Sequence, residues 1–185
     1  SSHILKICKE IERYRELRAL RMKNIVLIGM PGAGKSTVGV VLAKNMGMSF
    51  LDSDLVIQEQ EGKKLHELIE EYGMEGFLQI EARVNASLNP KAAVIATGGS
   101  AVYSEQAMDH LKSIAMVCYL KLPYEGIEER LGDLAQRGVV LREGETLREL
   151  YDERIPLYEK YANITVECEN KNIREIVTEL SKRLK

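Results

Sequence analysis

The run Asn24-Ile25-Val26-Leu27-Ile28 is short, almost wholly apolar and rich in β-branched side chains, and it stops at Gly29. Its apolar residues are consecutive instead of alternating, which fits a strand covered on both faces, as in a parallel sheet. Beyond a glycine-rich turn, residues 35–45 place Val38, Val41, Leu42 and Ala43 at helical spacing, and Gly47 ends the pattern. Strand, tight turn and helix in that order are the opening half of a βαβ unit. Further apolar runs at Ser49-Phe50-Leu51, Ala93-Val94-Ile95-Ala96, Ala115-Met116-Val117-Cys118-Tyr119-Leu120 and Ile164-Thr165-Val166 repeat the alternation. Helical patterns lie near 64–71, 75–88, 105–113, 124–131, 146–161 and 172–184. The expected fold is therefore a three-layer α/β domain, a five-stranded parallel sheet with helices on both faces.

A chain of 185 residues with 45% hydrophobic side chains suits one core, so residues 22–185 are expected to form a single domain. Met22-Lys23-Asn24-Ile25 reads as a chain start, which makes 1–21 an N-terminal extension. That extension carries Ile4, Leu5, Cys8, Ile11, Tyr14, Leu17 and Leu20 at three- and four-residue spacing, the pattern of an amphipathic helix. Residues 132–145 are rich in glycine and charge and have no clean period, and are expected to form a mobile surface segment, or lid. With 26 Lys+Arg against 28 Asp+Glu the net charge is -2, so no global positive field recruits nucleic acid or an anionic membrane. Cys8, Cys118 and Cys168 have neither metal-like nor disulfide-like spacing, and a cytoplasmic location is expected. His3, His66 and His110 show no ligand spacing either.

The turn itself reads Gly29-Met30-Pro31-Gly32-Ala33-Gly34-Lys35-Ser36, which is G-x-x-x-x-G-K-[ST] set between a predicted strand and a predicted helix. Glycines are needed because backbone N–H groups must converge on phosphate oxygens, and a Cβ would obstruct both dihedrals and approach. Gly32, Ala33 and Gly34 would cradle a nucleoside triphosphate, with the positive helix N-terminus aimed at the same anion. Lys35 would reach the β- and γ-phosphates and Ser36 would hold Mg2+. Thr37 completes the nucleotide-binding segment, with a mainly structural part to play. ATP and Mg2+ are the expected cofactors.

Leu51-Asp52-Ser53-Asp54 follows the second strand. On extended chain, side chains two apart point the same way, so both carboxylates can face one cleft, one toward Mg2+ and the other toward an acceptor proton. The alternative is that an aspartate here caps the next helix. Thr97-Gly98-Gly99-Ser100 ends the third strand, where a parallel sheet opens its ligand crevice. It serves either close approach of a substrate to backbone or a tight strand-to-helix turn. Arg130, Arg137, Arg142 and Arg154 lie in or around the lid and the helix after it. Guanidinium groups there can stabilise a transferring phosphoryl or clamp a carboxylate, and a lid that carries them excludes water on closure.

Taken together, these elements resemble the shikimate kinase family, in order from Asn24 to about Val166. The phosphate loop resembles the family's own, Phe50-Leu51-Asp52-Ser53-Asp54 its F-x-D-x-D element, and Gly73-Met74-Glu75-Gly76-Phe77-Leu78-Gln79-Ile80-Glu81 its G-E-x-x-F-R-x-x-E element. Val94 to Ser100 is similar to the strand that runs into G-G-G, and Arg154-Ile155-Pro156-Leu157-Tyr158 matches R-x-P-L-Y. The resemblance implies the nucleoside monophosphate kinase type of fold with strand order 2-3-1-4-5. It also implies that Asp52 organises Mg2+ and that Asp54 contacts the shikimate hydroxyls as base. Gly98, Gly99, Ser100 and the position of Leu78 would line the substrate, Arg154 would hold its carboxylate, Arg130 would lie near adenine, and Arg137 would reach the phosphates from the lid. Lys35, Asp54 and Arg137 are the implied catalytic set.

The chain departs from the family pattern at Leu78, where an arginine would grip the substrate carboxylate, and at Ser100, which replaces the third glycine. A milder departure is Gly138-Val139-Val140-Leu141 in the lid. The expected activity is transfer of phosphate from ATP to a small-molecule hydroxyl, foremost shikimate to shikimate 3-phosphate in aromatic amino acid biosynthesis, by a monomer or weak homo-oligomer. Alternatives are a kinase for another polyol or hydroxy acid of gluconate type, a nucleotide kinase, and a catalytically weak ATP-binding regulatory homologue. A GTPase switch would need N-K-x-D, and Asn170-Lys171-Asn172-Ile173 lacks the aspartate.

Overall fold

The computed structural model describes residues 2–21, 23–132, 139 and 141–185. Helix α1 (Ser2–Arg21) leads into β1 (Asn24–Ile28), followed by α2 (Lys35–Met46), β2 (Ser49–Asp52), α3 (Ser53–Glu61), α4 (Leu65–Ser87) and β3 (Ala93–Ala96). Then come a 3-10 turn (Ala101–Tyr103), α5 (Glu105–Ile114), β4 (Ala115–Lys121), α6 (Tyr124–Leu131), α7 (Leu147–Tyr161), β5 (Ile164–Glu167) and α8 (Ile173–Arg183). The five strands pair in parallel in the order β2-β3-β1-β4-β5. Both the all-parallel sheet and its order are those expected.

β1 is central and buried at every residue. Ile25, Val26 and Leu27 sit beside Val94, Ile95 and Ala96 of β3, and Leu27 and Ile28 beside Cys118 and Tyr119 of β4. A parallel sheet needs a crossover between neighbours and so has a helix layer on each face. α2 packs with α8, and α4 packs with α5. In α1, Ile4, Leu5, Ile7, Ile11 and Tyr14 are exposed.

Local chemistry sets most boundaries. Gly47, in left-handed conformation at φ 67°, closes α2 by returning its N–H to the carbonyls of Ala43 and Lys44. Thr146 with Glu149, and Asn172 with Glu175, form reciprocal capping boxes that start α7 and α8.

Three local features differ from the expectation. α3 has no counterpart among the predicted helices, because its apolar residues Leu55, Val56 and Ile57 are consecutive and so carry no helical period; Leu55 is exposed and Ile57 buried. Asp54 consequently stands in the first turn of a helix and not on extended chain. The two helices expected at 64–71 and 75–88 are one element interrupted at Gly73, whose φ of 70° and ψ of 176° are not helical. Of the lid segment, residues 133–138 and 140 lie outside the described residues.

Gly29 joins the central strand to the loop that follows it, with φ 148°. A Cβ built there would lie 2.8 Å from the backbone oxygen of Leu120 in β4, which cannot withdraw without disturbing the strand. Gly29→Ala is expected to destabilise the protein by about 1–3 kcal/mol, seen as a lower urea midpoint with an unchanged slope.

Candidate active site

The carboxyl ends of β1, β2 and β3 open on one side of the sheet, and the polar residues gather there. α2 begins at Lys35 behind Gly34, which holds the N-cap position at φ 92° with no side-chain hydrogen bond to the helix. Its first-turn N–H groups therefore have no side-chain cap, and the helix dipole adds positive potential at the same place. Gly32 is also left-handed, at φ 79°. Lys35 Nζ donates to the carbonyl oxygens of Gly29, at 2.7 Å, and Met30, at 2.9 Å. Burial pulls its pKa down to about 8, against the attraction of Asp54. A buried ammonium held by carbonyl oxygens, beside N–H groups without a side-chain cap, is an arrangement that could receive an anion such as phosphate.

Asp52 serves in two ways at once. Its Oδ1 accepts from the Asp54 N–H at 2.9 Å and so caps α3, while its Oδ2 accepts from Ser36 Oγ at 2.9 Å. The capping and metal alternatives left open by the sequence are thus compatible in one side chain. Among the described residues no group of three or more His, Cys, Asp or Glu side chains is placed to hold a metal by itself. An oxygen pair such as Ser36 and Asp52 suits Mg2+, which keeps waters and shares substrate phosphates instead of needing an all-protein cage. Asp54 is raised to about 6, chiefly by burial and further by the charge of Asp52, with Lys35 opposing.

The glycines after β3 are hemmed in by functional groups. A Cβ on Gly98 would lie 2.7 Å from Glu81 Oε2 and 2.9 Å from Asp54 Oδ1; one on Gly99 would lie 2.8 Å from both Arg154 Nη1 and Pro31 Cδ. α7 fastens this loop through Tyr158, whose hydroxyl donates to the Gly99 carbonyl at 2.6 Å. One turn earlier Arg154, buried, donates from Nε to the Tyr103 hydroxyl at 3.2 Å, its guanidinium carbon 5.3 Å from the Tyr103 ring centroid. Asp54 thus lies against Gly98 and Arg154 against Gly99, with both close enough for their charges to act on Lys35.

Ser100 and Leu78 fare differently. Ser100 Oγ donates to Glu81 Oε1 at 2.7 Å, so its side chain is occupied by a protein partner. Leu78 is half-buried on α4 and offers no polar group. Arg130 donates from Nη1 to the Gly32 carbonyl at 3.1 Å, which puts it against the phosphate loop. Thr37 is exposed, and Arg142 is paired with Glu153 at 3.2 Å. Arg137, expected both at the phosphates and in catalysis, lies outside the described residues.

Glu81, Tyr103 and Tyr158 were not among the expected site residues. Glu81 carried a usable signal: it shares the apolar face of Phe77 and Val84, four residues after one and three before the other, and an ionisable group in core phase marks a polar site. Burial raises its pKa to about 7, the Ser100 hydrogen bond acting in the other direction.

Whole-chain similarity to known proteins is extensive. The shikimate kinase family model matches residues 31–185. The shikimate kinase of Sulfurihydrogenibium sp. is 33% identical over 165 residues, which cover 89% of this chain and 99% of that one. The structure of the Acinetobacter baumannii shikimate kinase in complex with shikimate superposes with a TM-score of 0.79 at 34% identity, over 88% of this chain and 93% of that one. A gluconokinase from Sinorhizobium meliloti, at 21% identity and a TM-score of 0.53 over 88% and 91% of the two chains, shares the fold alone. These matches identify a kinase that transfers phosphate to a hydroxyl group, and the chain is a member of the shikimate kinase family.

Proposed function

We propose that the chain transfers the γ-phosphoryl group of ATP to a ring hydroxyl of shikimate, giving shikimate 3-phosphate, within the cytoplasm. The observation that carries this reading is the clustering of Asp54 and Arg154 at the Gly98-Gly99 turn within electrostatic reach of Lys35. Shikimate is a small polyol carboxylate, and this cluster offers a carboxyl for its hydroxyls and a buried guanidinium for its carboxylate. Cys8, Cys118 and Cys168 are free thiols, which fits a reducing compartment.

In this reading Gly32, Ala33, Gly34, Lys35, Ser36 and Thr37 hold the phosphates, Arg130 serves the adenine end of the nucleotide and Arg137 serves the phosphates. Mg2+ at Ser36 and Asp52 supplies charge neutralisation across the phosphates when bound. Asp54, ionised, takes the proton of the attacking hydroxyl as its oxygen forms the bond to phosphorus and the bond to the departing ADP oxygen breaks. Lys35 stabilises the charge that moves with the phosphoryl group. Arg154 orients the acceptor by its carboxylate, and Tyr103 fixes the direction of that guanidinium.

Lys35→Ala is expected to lower shikimate-dependent ADP release by at least about a hundredfold while the fold, read by far-UV circular dichroism, is retained. Near-normal turnover would remove Lys35 from the mechanism. Asp54→Asn should lose turnover to a similar degree yet keep ATP binding by calorimetry, since the amide preserves shape and cannot take a proton.

The pH profile follows from the same groups. The carboxyl pair of Asp54 and Glu81 titrates around 6 to 7, and the base must be ionised, so kcat/KM should fall as pH drops below that range. Lys35 loses its charge near 8, so kcat/KM should fall again above it. A profile that stays flat from pH 5 to 9 would contradict both assignments.

A further inference from the structure

The phosphate loop and the turn after β3 come from distant stretches of chain, and they touch at Gly99. A Cβ built on Gly99 would lie 2.8 Å from Pro31 Cδ of the phosphate loop and 2.8 Å from Arg154 Nη1 on α7. Tyr158, one turn after Arg154, is fully buried and reaches the same place. Its hydroxyl donates to the Gly99 carbonyl at 2.6 Å, and Met30 Sδ stands 3.8 Å from the same oxygen. A phenol has one proton to give, so the short bond to Gly99 takes it and the Met30 sulfur is a packing contact. Met30 belongs to the phosphate loop, and its own carbonyl accepts from Lys35 Nζ at 2.9 Å. One buried oxygen therefore abuts both the loop that holds Lys35 and the turn that carries Gly98 against Asp54. The ring is fixed as well. It stacks on Tyr119 of β4, with centroids 5.2 Å apart and planes 27° from parallel, and Tyr119 lies beside Ile28, the last residue of β1. Tyr158 is thus braced against the central strands from which the phosphate loop springs, while its hydroxyl holds the turn after β3.

We propose that Tyr158 is a positioning residue for phosphoryl transfer: its hydroxyl sets the distance between the phosphate loop and the Gly98-Gly99 turn, and so holds the acceptor hydroxyl in line with the γ-phosphate. In this role it touches neither acceptor nor nucleotide. A displacement of the reacting atoms by about 1 Å is enough to cost about a hundredfold in rate. Without the bond the Gly99 carbonyl is left unpaired, and the turn relaxes toward another donor. Burial raises the titration of the Tyr158 hydroxyl, with the Arg154 charge opposing, so it stays a neutral donor at neutral pH.

The inference rests on shikimate as the acceptor, and its test separates the two. kcat and both KM values are measured from shikimate-dependent ADP release in the wild type, Tyr158→Phe and Tyr119→Phe, with kcat expressed per ATP-binding site counted by calorimetric titration. Tyr158→Phe keeps the stacked ring and removes only the hydroxyl. It is expected to lower kcat per site by about 10- to 100-fold with both KM values within about threefold of the wild type, the pattern of a group that acts on the transition state alone. Tyr119→Phe removes the other hydroxyl of the same stack, which is buried without a hydrogen-bond partner, and should leave kcat per site within about twofold. A merely structural role for Tyr158 would reduce the number of ATP-binding sites, to none at the limit, and leave kcat per remaining site unchanged. That result overturns the proposal, as does an equal fall in Tyr119→Phe or an effect confined to the KM for shikimate. A wild type that releases no ADP in response to shikimate overturns the shikimate reading instead, and the inference falls with it.

Discussion

The pairing of β1 with β3 on one side and β4 on the other determines where every functional group can stand. Parallel strands all end on the same side of the sheet, so the turn after β1, the aspartates after β2 and the glycines after β3 converge without a specific arrangement for each. The approach is close enough that Gly29 has no room for a side chain against β4. The phosphate loop therefore starts from a buried central strand paired on both sides, and its lysine is tethered to the carbonyls of Gly29 and Met30 just beyond that strand. Rigidity at this point matters because preorganised groups pay little reorganisation cost when charge moves.

Around that loop the protein holds more buried ionisable groups than a core selected for stability alone would carry. Lys35, Arg154 and Glu81 are buried and Asp54 nearly so, and the titrations of Lys35, Asp54 and Glu81 are all displaced by burial. Each is only partly matched by its neighbours, so folding bears an electrostatic cost that ligands offset when they bind. Asp52 is the exception, with both oxygens engaged by Ser36 and the Asp54 backbone. It ties α2, β2 and α3 into one frame and lets its neighbours remain unsatisfied.

The layers of the fold were legible in the sequence because each strand is a consecutive apolar run and each crossover shows a helical period. The phosphate loop and the aspartates were legible for a different reason: their spacing is dictated by chemistry on a single stretch of chain. What escaped is what depends on contacts between distant stretches. α3 was missed because Leu55-Val56-Ile57 has no period, and its start is set by the Asp52 cap. The partners of Glu81, Tyr103 and Tyr158 lie 19, 51 and 59 residues away, beyond any local pattern. Ser100 was expected to line the substrate, whereas its hydroxyl is turned onto Glu81, a direction that no one-dimensional reading supplies.

The crowding around Gly98 and Gly99 also constrains how this protein can change. Neither position can gain a side chain, because Glu81, Asp54, Arg154 and Pro31 already fill the room a Cβ would take. Variation that retunes the acceptor space is thereby displaced onto the surrounding helices and onto the residue just past the glycines, and Leu78 and Ser100 are positions of that kind. Side-chain change beside Asp54 and Arg154 is therefore closed at the glycines themselves and open only at the positions around them.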